Sequence, residues 1–286
     1  MQNILSIWGL AGITVKHMDS LSMSTWDVGG QYILKRYSND EELSRSMQFS
    51  KLLTTYGIPV AVFIPTESGK LTSPEGSYCL MSKLSGKHPD FFEEINLASE
   101  MGRELARLHT VLAHIEPNLA CNDSDLLVDW QNGIKPSIEK LVPDKMLGSV
   151  DILFRKYYPN LPRQLIHRDI HCHNVLFDNG HLTGWLDFDI SQRNARLFDM
   201  AYLLSGLLVG NTHSRTKIDK WRLIYHELLT GYNEINPLVD NEHDALPILM
   251  IMIELLFAWF WIGRDNIEQS ETALELAKWL CNEYNI

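Results

Sequence analysis

The chain has 286 residues, of which 45% are hydrophobic and 21% charged, with a formal net charge of −11. These values are ordinary for a soluble globular protein with room for one large domain or two lobes. The acidic balance argues against a nucleic-acid partner and for small cationic ones.

The start, MQNILSIWGLAG, lacks the basic residues of a signal peptide. ITVKHMDSL, STWDVGG and QYILKRY then read as strands, with Val28 and the Gly29-Gly30 pair making a tight connection. In SNDEELSRSMQFSKLLTTYG, Ser38, Asn39 or Asp40 can cap a helix. Acidic residues fill its first turn and Gly57 ends it, with Pro59 just beyond. VAVFIPTESGKLTSPEGSYCLMSKL reads as two strands around a polar turn. Strands, one helix and more strands make a small α+β unit of about 80 residues.

After Gly86 the period changes. Ala98, Met101, Leu105, Leu108, Leu112 and Ile115 recur at spacings of three and four, one face of a long helix. Helical patterns also fit residues 145–157, 195–209, 217–233, 243–263 and 267–284, with short strands near 165–167, 174–177 and 182–186. The run from Ile248 to Ile262 is the most apolar in the chain. Its 15 residues fall short of a membrane span and it carries Glu254, so a buried core helix is expected. Cys79, Cys121, Cys172 and Cys281 stand far apart without a CxxC pair, which argues against a zinc-thiolate site and fits a reducing cytosol.

The chemistry concentrates in LIHRDIHCHNVLF, residues 165–177. His167, His171, His173 and Asp169 are ligand types that suit zinc or iron, as in a metal hydrolase, but no further dense ligand cluster accompanies them. A second reading counts the loop differently. Asn174 follows Asp169 by five residues, and Asp187 follows Asn174 by 13, across a turn at Asp178-Asn179-Gly180. A hairpin would bring Asn174 and Asp187 together as oxygen ligands for a hard cation such as Mg²⁺. A free carboxylate beside them, Asp169, could accept the proton of a hydroxyl, which is what phosphoryl transfer requires.

The loop followed by GWLDFD resembles the catalytic core of protein kinases. It is more closely similar to the aminoglycoside phosphotransferase and choline kinase family, whose pattern runs roughly H-G-D-x-H-x-x-N and then I-D-F/W. His171 matches the second histidine of that pattern, and the resemblance runs from about Trp26 to Leu204. It implies an α+β, bilobal, protein-kinase-like fold. A small β-rich N-terminal nucleotide-binding lobe would span residues 1–81, a hinge residues 82–86, and a larger, mostly helical catalytic lobe residues 87–286.

The resemblance also implies roles. Asp169 would be the catalytic base, and Asn174 and Asp187 would hold Mg²⁺. Lys35 would contact the α- and β-phosphates of ATP (or GTP), Ser82 C=O and Leu84 N–H would grip the base, and the turn from Ser20 to Thr25, with Ser24, would cover the phosphates. Asp199 would brace the catalytic loop, and His109 reads as a satisfied core histidine. The sequence departs from the family at Arg168, where a small residue is usual. It also lacks an obvious glutamate partner for Lys35: Glu41 and Glu42 sit at the helix start, with Ser46, Met47 and Gln48 further along.

The expected activity is transfer of the γ-phosphoryl group to a hydroxyl of a small molecule in the cytosol, with neither nucleic acid nor membrane as partner. Aminoglycosides, other antibiotics, amino alcohols and homoserine are candidate acceptors. Asp189, Arg193, Glu254, Trp259, Trp261, Asp265 and Glu268 are candidate walls for the acceptor, where aromatics beside carboxylates suit an amine. Protein-kinase activity is disfavoured, because only 12 positions lead from Asp187 to Asp199, too few for an activation segment. A non-catalytic kinase-fold binding or coat-type protein is the alternative.

Overall fold

The computed structural model describes residues 2–18, 24–116, 119 and 122–286. Cys121, and the part of the expected phosphate-covering turn from Ser20 to Met23, lie outside the described residues. The chain forms two compact units. The first is Met1–His88 with Val175–Asn179 and Thr183–Asp189; the second is Pro89–Asn174, Gly180–Leu182 and Ile190–Ile286.

The first unit opens with α1 (Gln2–Leu5), β1 (Val15–His17), β2 (Thr25–Val28) and β3 (Tyr32–Arg36). It continues with α2 (Asp40–Thr55), β4 (Phe63–Ile64) and β5 (Tyr78–Ser82). The strands form an antiparallel sheet in the order β1-β2-β3-β5-β4. Gly29 (φ 63°) and Gly30 (φ 72°) make the tight β2–β3 turn, a conformation that L side chains rarely adopt. Strand alternation then sorts the faces. Val28, Leu34 and Leu80 pack with Leu5 and Trp8 on one side. Tyr37 and Cys79 pack with Leu43 of α2 and Phe63 on the other. Lys35 alternates with Leu34 and so shares the second face, which explains why its side chain is only 19% exposed. Of the three candidate caps for α2, Asn39 serves: its side chain accepts from Glu42 N at 2.8 Å.

In the second unit α3 (Leu97–Ile115) buries the apolar face read from its spacing, and all six of those residues are fully buried. Next come α4 (Leu126–Asp129), a π-helical turn Trp130–Ile134, α5 (Lys135–Ile138), α6 (Asp144–Tyr157) and β6 (Arg163–Ile166). The chain then passes through the hairpin of β7 (Val175–Asp178) and β8 (His181–Trp185), most of which belongs to the first unit, before β9 (Gln192–Ala195), which pairs with β6. The chain closes with α7 (Leu197–Gly206), α8 (Arg215–Ile235), α9 (Asp240–Ile262) and α10 (Ile267–Tyr284). Helices α3 and α8 approach closely through glycine. A Cβ on Gly231 would stand 1.9 Å from Ser99 O, and one on Gly102 2.1 Å from Leu228 O.

Two elements have no counterpart in the expected pattern. The segment from α4 to α5 is too short and irregular to show a helical period, and β9 is the polar sequence QRNA. Strand β9 forms nonetheless because β6 supplies its ladder and Asn194 accepts a hydrogen bond from Tyr158 Oη at 2.9 Å. The apolar helix α9 is longer than its 15-residue core. It runs 23 residues, and among the described helices it alone is long and apolar enough to cross a membrane. Its most apolar window is 61% buried against the rest of the protein, as expected of a core helix.

Candidate active site

In the second unit the loop after β6 is built around Asp199, a fully buried residue in the first turn of α7. Its Oδ2 accepts from His167 N at 2.9 Å and lies 3.0 Å from His109 Nε2, and its Oδ1 accepts from Arg168 N at 2.6 Å. His109 is fully buried and also meets Tyr232 Oη, 2.8 Å from its Nδ1, so both ring nitrogens are partnered within the core. The two backbone donors hold Arg168 at φ 73°, a left-handed conformation unfavourable for an L side chain. Asp169 follows directly. A glycine would take this backbone without strain; here an arginine adopts it while its N–H bonds to Asp199.

The Asp169 carboxylate is oriented from two sides. Tyr202 Oη donates to Oδ1 at 2.8 Å, and Asn174 Nδ2 donates to Oδ2 and to the backbone O, each at 2.9 Å. His171 Nε2 stands 3.6 Å from Oδ2. Burial works against the charge, but the hydrogen bonds and the nearby histidines outweigh it, and the Asp169 pKa lies below the ordinary carboxylate value. Tyr202 is the member that sequence reasoning missed. It sits three residues after Asp199 on α7, so the signal was the shared helix face.

In the first unit Lys35 Nζ lies 2.8 Å from Asp189 Oδ2 and 3.7 Å from Asp187 Oδ1. It also stands over the Tyr37 ring at 4.7 Å. Burial opposes the ammonium, yet Tyr37 and the two aspartates prevail and its pKa is raised. Burial pushes Asp189 up to about 6, with Lys35 opposing and Asp187 adding to the rise. The glutamate missing from α2 is thus replaced by carboxylates more than 150 positions away. Glu42 instead accepts from Ser38 Oγ at 2.9 Å, and Arg45 Nη1 donates to the Asp189 carbonyl at 3.2 Å. Asp187, like Arg168, has a positive φ, 60°.

The other expected site residues fall as follows. Ser24 O accepts from Arg36 N at 2.8 Å and so extends the β2–β3 ladder. Ser82 ends β5 and is clipped to Val62, donating from N at 2.8 Å and accepting at Oγ at 2.9 Å. The Leu84 side chain covers Gly184 so closely that a Cβ there would stand 2.8 Å from Leu84 Cδ1. Arg193 Nε lies 2.9 Å from Glu116 Oε1 and Nη1 3.7 Å from Asp123 Oδ2, an ion-pair network at the end of α3. Asp265 is exposed, in the turn after α9. Glu254, expected at the acceptor wall, is a buried residue of α9, 2% exposed. Among the described residues no cluster of three or more His, Cys, Asp or Glu could hold a metal ion, so the histidine loop has no zinc-type geometry there.

The model of the phosphotransferase enzyme family matches residues 20–237. The chain belongs to this family. It is 28% identical over 273 residues to a homoserine kinase of Zymomonas mobilis subsp. mobilis, covering 89% of this chain and 82% of that one. Among solved structures it resembles aminoglycoside 2'-phosphotransferase-IIIa in its GDP complex, with a TM-score of 0.71, 16% identity and coverage of 98% of this chain and 97% of that one. It also resembles a microcompartment-associated aminopropanol kinase, with a TM-score of 0.68, 17% identity and coverage of 98% and 94%. The fold is the protein-kinase-like α+β fold, and this phosphotransferase is a small-molecule kinase with a hydroxyl acceptor.

Proposed function

We propose that this phosphotransferase acts in the cytosol, with Mg²⁺, to move the γ-phosphoryl group of ATP (or GTP) to a hydroxyl of a small molecule. Aminoglycosides, other antibiotics, amino alcohols and homoserine are the acceptor classes in view. The observation that carries the reading is the Asp169 carboxylate, ionised below its ordinary range and fixed by Tyr202 and Asn174.

The donor set fits a hard cation. Both hydrogen bonds of the Asn174 side chain are donated by Nδ2, and Oδ1 accepts none among the described residues. Asp187 presents a carboxylate that is 48% exposed. Asn174 and Asp187 are the proposed ligands of Mg²⁺, which when bound neutralises charge on the transferring phosphates. Lys35, held between two aspartates, is proposed to exchange one carboxylate partner for the α- and β-phosphates. Ser82 O and Leu84 N are the proposed contacts to the base, with Ser24 beside the phosphates. Asp169 orients the acceptor hydroxyl and takes its proton as the new O–P bond forms and the bond to the β-phosphate oxygen breaks, releasing the nucleoside diphosphate.

The test is a screen of hydroxylated amino acids, amino alcohols and antibiotics for Mg²⁺-dependent ADP release, alongside thermal stabilisation by Mg–ATP. Turnover of one class supports the reading. Stabilisation by nucleotide with no ADP release across the panel moves the protein to the non-catalytic alternative.

A further inference from the structure

Lys35 has one partner that the phosphoryl-transfer chemistry leaves without a role. Among the described residues three side chains meet its ammonium: Asp189 at 2.8 Å, Asp187 at 3.7 Å, and the face of the Tyr37 ring, whose centroid lies 4.7 Å from Nζ. The two carboxylates are anions, so they compete with nucleotide phosphates for the same cation. The ring is neutral. It attracts the ammonium through its quadrupole and does not repel an incoming phosphate.

Tyr37 is held firmly in place. It follows β3 directly, and its N–H donates to Ser77 O at 2.9 Å, which continues the β3–β5 ladder. Two positions from Lys35, it shares the same face of the strand. Its ring is 6% exposed and packs with Leu43 of α2, Phe63 and Cys79. Its hydroxyl lies 2.8 Å from Ser46 Oγ, in the middle stretch of α2 where a glutamate for Lys35 is absent. The same helix grips the acidic partner. Arg45 Nη1 donates to Asp189 O at 3.2 Å, and Phe49 stacks on Phe188 with ring centroids 5.4 Å apart. Helix α2 therefore acts on the lysine through its neighbours, the aromatic one and the acidic one.

We propose that Tyr37, anchored by Ser46, is a positioning residue that keeps the Lys35 ammonium available to the nucleotide phosphates as its carboxylate partners give way. This rests on the phosphotransferase reading and extends it to a residue that acts through Lys35. Without the ring, the flexible four-carbon stem can fold further onto Asp189, and a phosphate must then draw the ammonium out of a tighter ion pair.

The test is a set of variants whose nucleotide affinity is measured by calorimetry with Mg–AMP-PNP and Mg–GMP-PNP, with nucleoside diphosphate release followed in parallel across a panel of hydroxylated acceptors. Tyr37→Leu should weaken the tighter-binding nucleotide by about 5–30-fold, the range of a desolvated cation–π contact. Tyr37→Phe keeps the ring face and Ser46→Ala removes only the anchor, so each should cost about 2–5-fold. The two together should cost no more than either alone, because both remove the same hydrogen bond. The deciding readout is the Lys35→Met background, in which Tyr37→Leu and Ser46→Ala should each cost less than about twofold. Alanine suits a helix interior, so Ser46→Ala carries the test even where Tyr37→Leu folds poorly.

Undiminished nucleotide affinity in Tyr37→Leu and Ser46→Ala overturns the inference. So does an equal loss with and without Lys35, which is what a ring that merely fills the core would give. A graded, Lys35-dependent loss of affinity with no diphosphate released to any acceptor upholds the positioning role while the phosphotransferase reading falls.

Discussion

Two clusters of acidic side chains are organised in opposite ways. In the second unit, Asp199 and Asp169 are held by donors that cannot leave: backbone N–H groups of the loop, a buried histidine, a tyrosine and an amide. In the first unit, Asp187 and Asp189 are held mainly by the Lys35 ammonium, and burial raises the Asp189 pKa to about 6 against the opposing charge of Lys35. The first arrangement is preorganised for one geometry and needs no ligand. The second is a set of charges whose partners can be exchanged, which is what the proposed meeting with a polyanion and its cation would need.

That contrast can be broken most severely at Asp169. Asp169→Ala should lower kcat by about 10²–10⁴-fold, the usual worth of a positioned base, while Mg–ATP affinity measured by calorimetry stays within about threefold. An equal loss of nucleotide affinity would mean that the two clusters are not functionally distinct. Next in size is Asp199→Ala. It strands two backbone donors and His109 in a fully buried place, and should cost about 3–5 kcal/mol in denaturant unfolding. Asp199→Asn, which keeps one acceptor, should cost less.

Glu254 sharpens the comparison by offering a carboxylate with neither kind of support. Burial raises its pKa from 4.5 to about 7, opposed only by the nearby Ser205 side chain. Because the folded value lies above the unfolded one, its neutral form contributes fully below pH 4.5, and the contribution is lost as pH climbs to about 7. Glu254→Gln should remove that decline, leaving the variant about 3 kcal/mol more stable than wild type above pH 7 and near parity at pH 4, read from unfolding curves across pH. Identical pH profiles would show that Glu254 does not titrate in this window. On the nucleotide side, Lys35→Met should raise KM for ATP by about 10–100-fold, the value of charge-assisted contacts to phosphate, with little change in acceptor KM.

Much of this contrast was legible in the sequence, but unevenly. The loop from His167 to Asn174 is local, and the spacing to Asp187 follows from one hairpin, so the proposed base and cation ligands could be named from residue types, turns and the family pattern. The brace on Asp199 was visible through the family pattern. The counter-charge of Lys35 was not, because the search went to α2, the adjacent helix, while Asp187 and Asp189 come from far along the chain and reach Lys35 only through the fold. Glu254 drew two expectations, a place in a buried core helix and a place at the acceptor wall, and the packing of α9 shows how deeply it is buried.

The smallest expected effect tests how the second cluster holds its geometry. Arg168 adopts φ 73° although an L residue there costs roughly 1–2 kcal/mol, and glycine removes that penalty. Glycine also gains entropy in the unfolded chain and gives up the packing of the arginine stem, so the net gain is smaller than the strain relieved. Arg168→Gly should therefore be more stable than wild type by up to about 1 kcal/mol, a rise of roughly 2–4 °C in Tm for a chain of this size. Pairing it with Asp199→Ala decides where the strain is stored. If Asp199 forces the left-handed turn, the two changes will not be additive: without its acceptor the loop relaxes, and glycine brings no further gain. If they add, the turn is imposed by the strand and helix on either side of the loop, and Asp199 merely satisfies donors that were already in place.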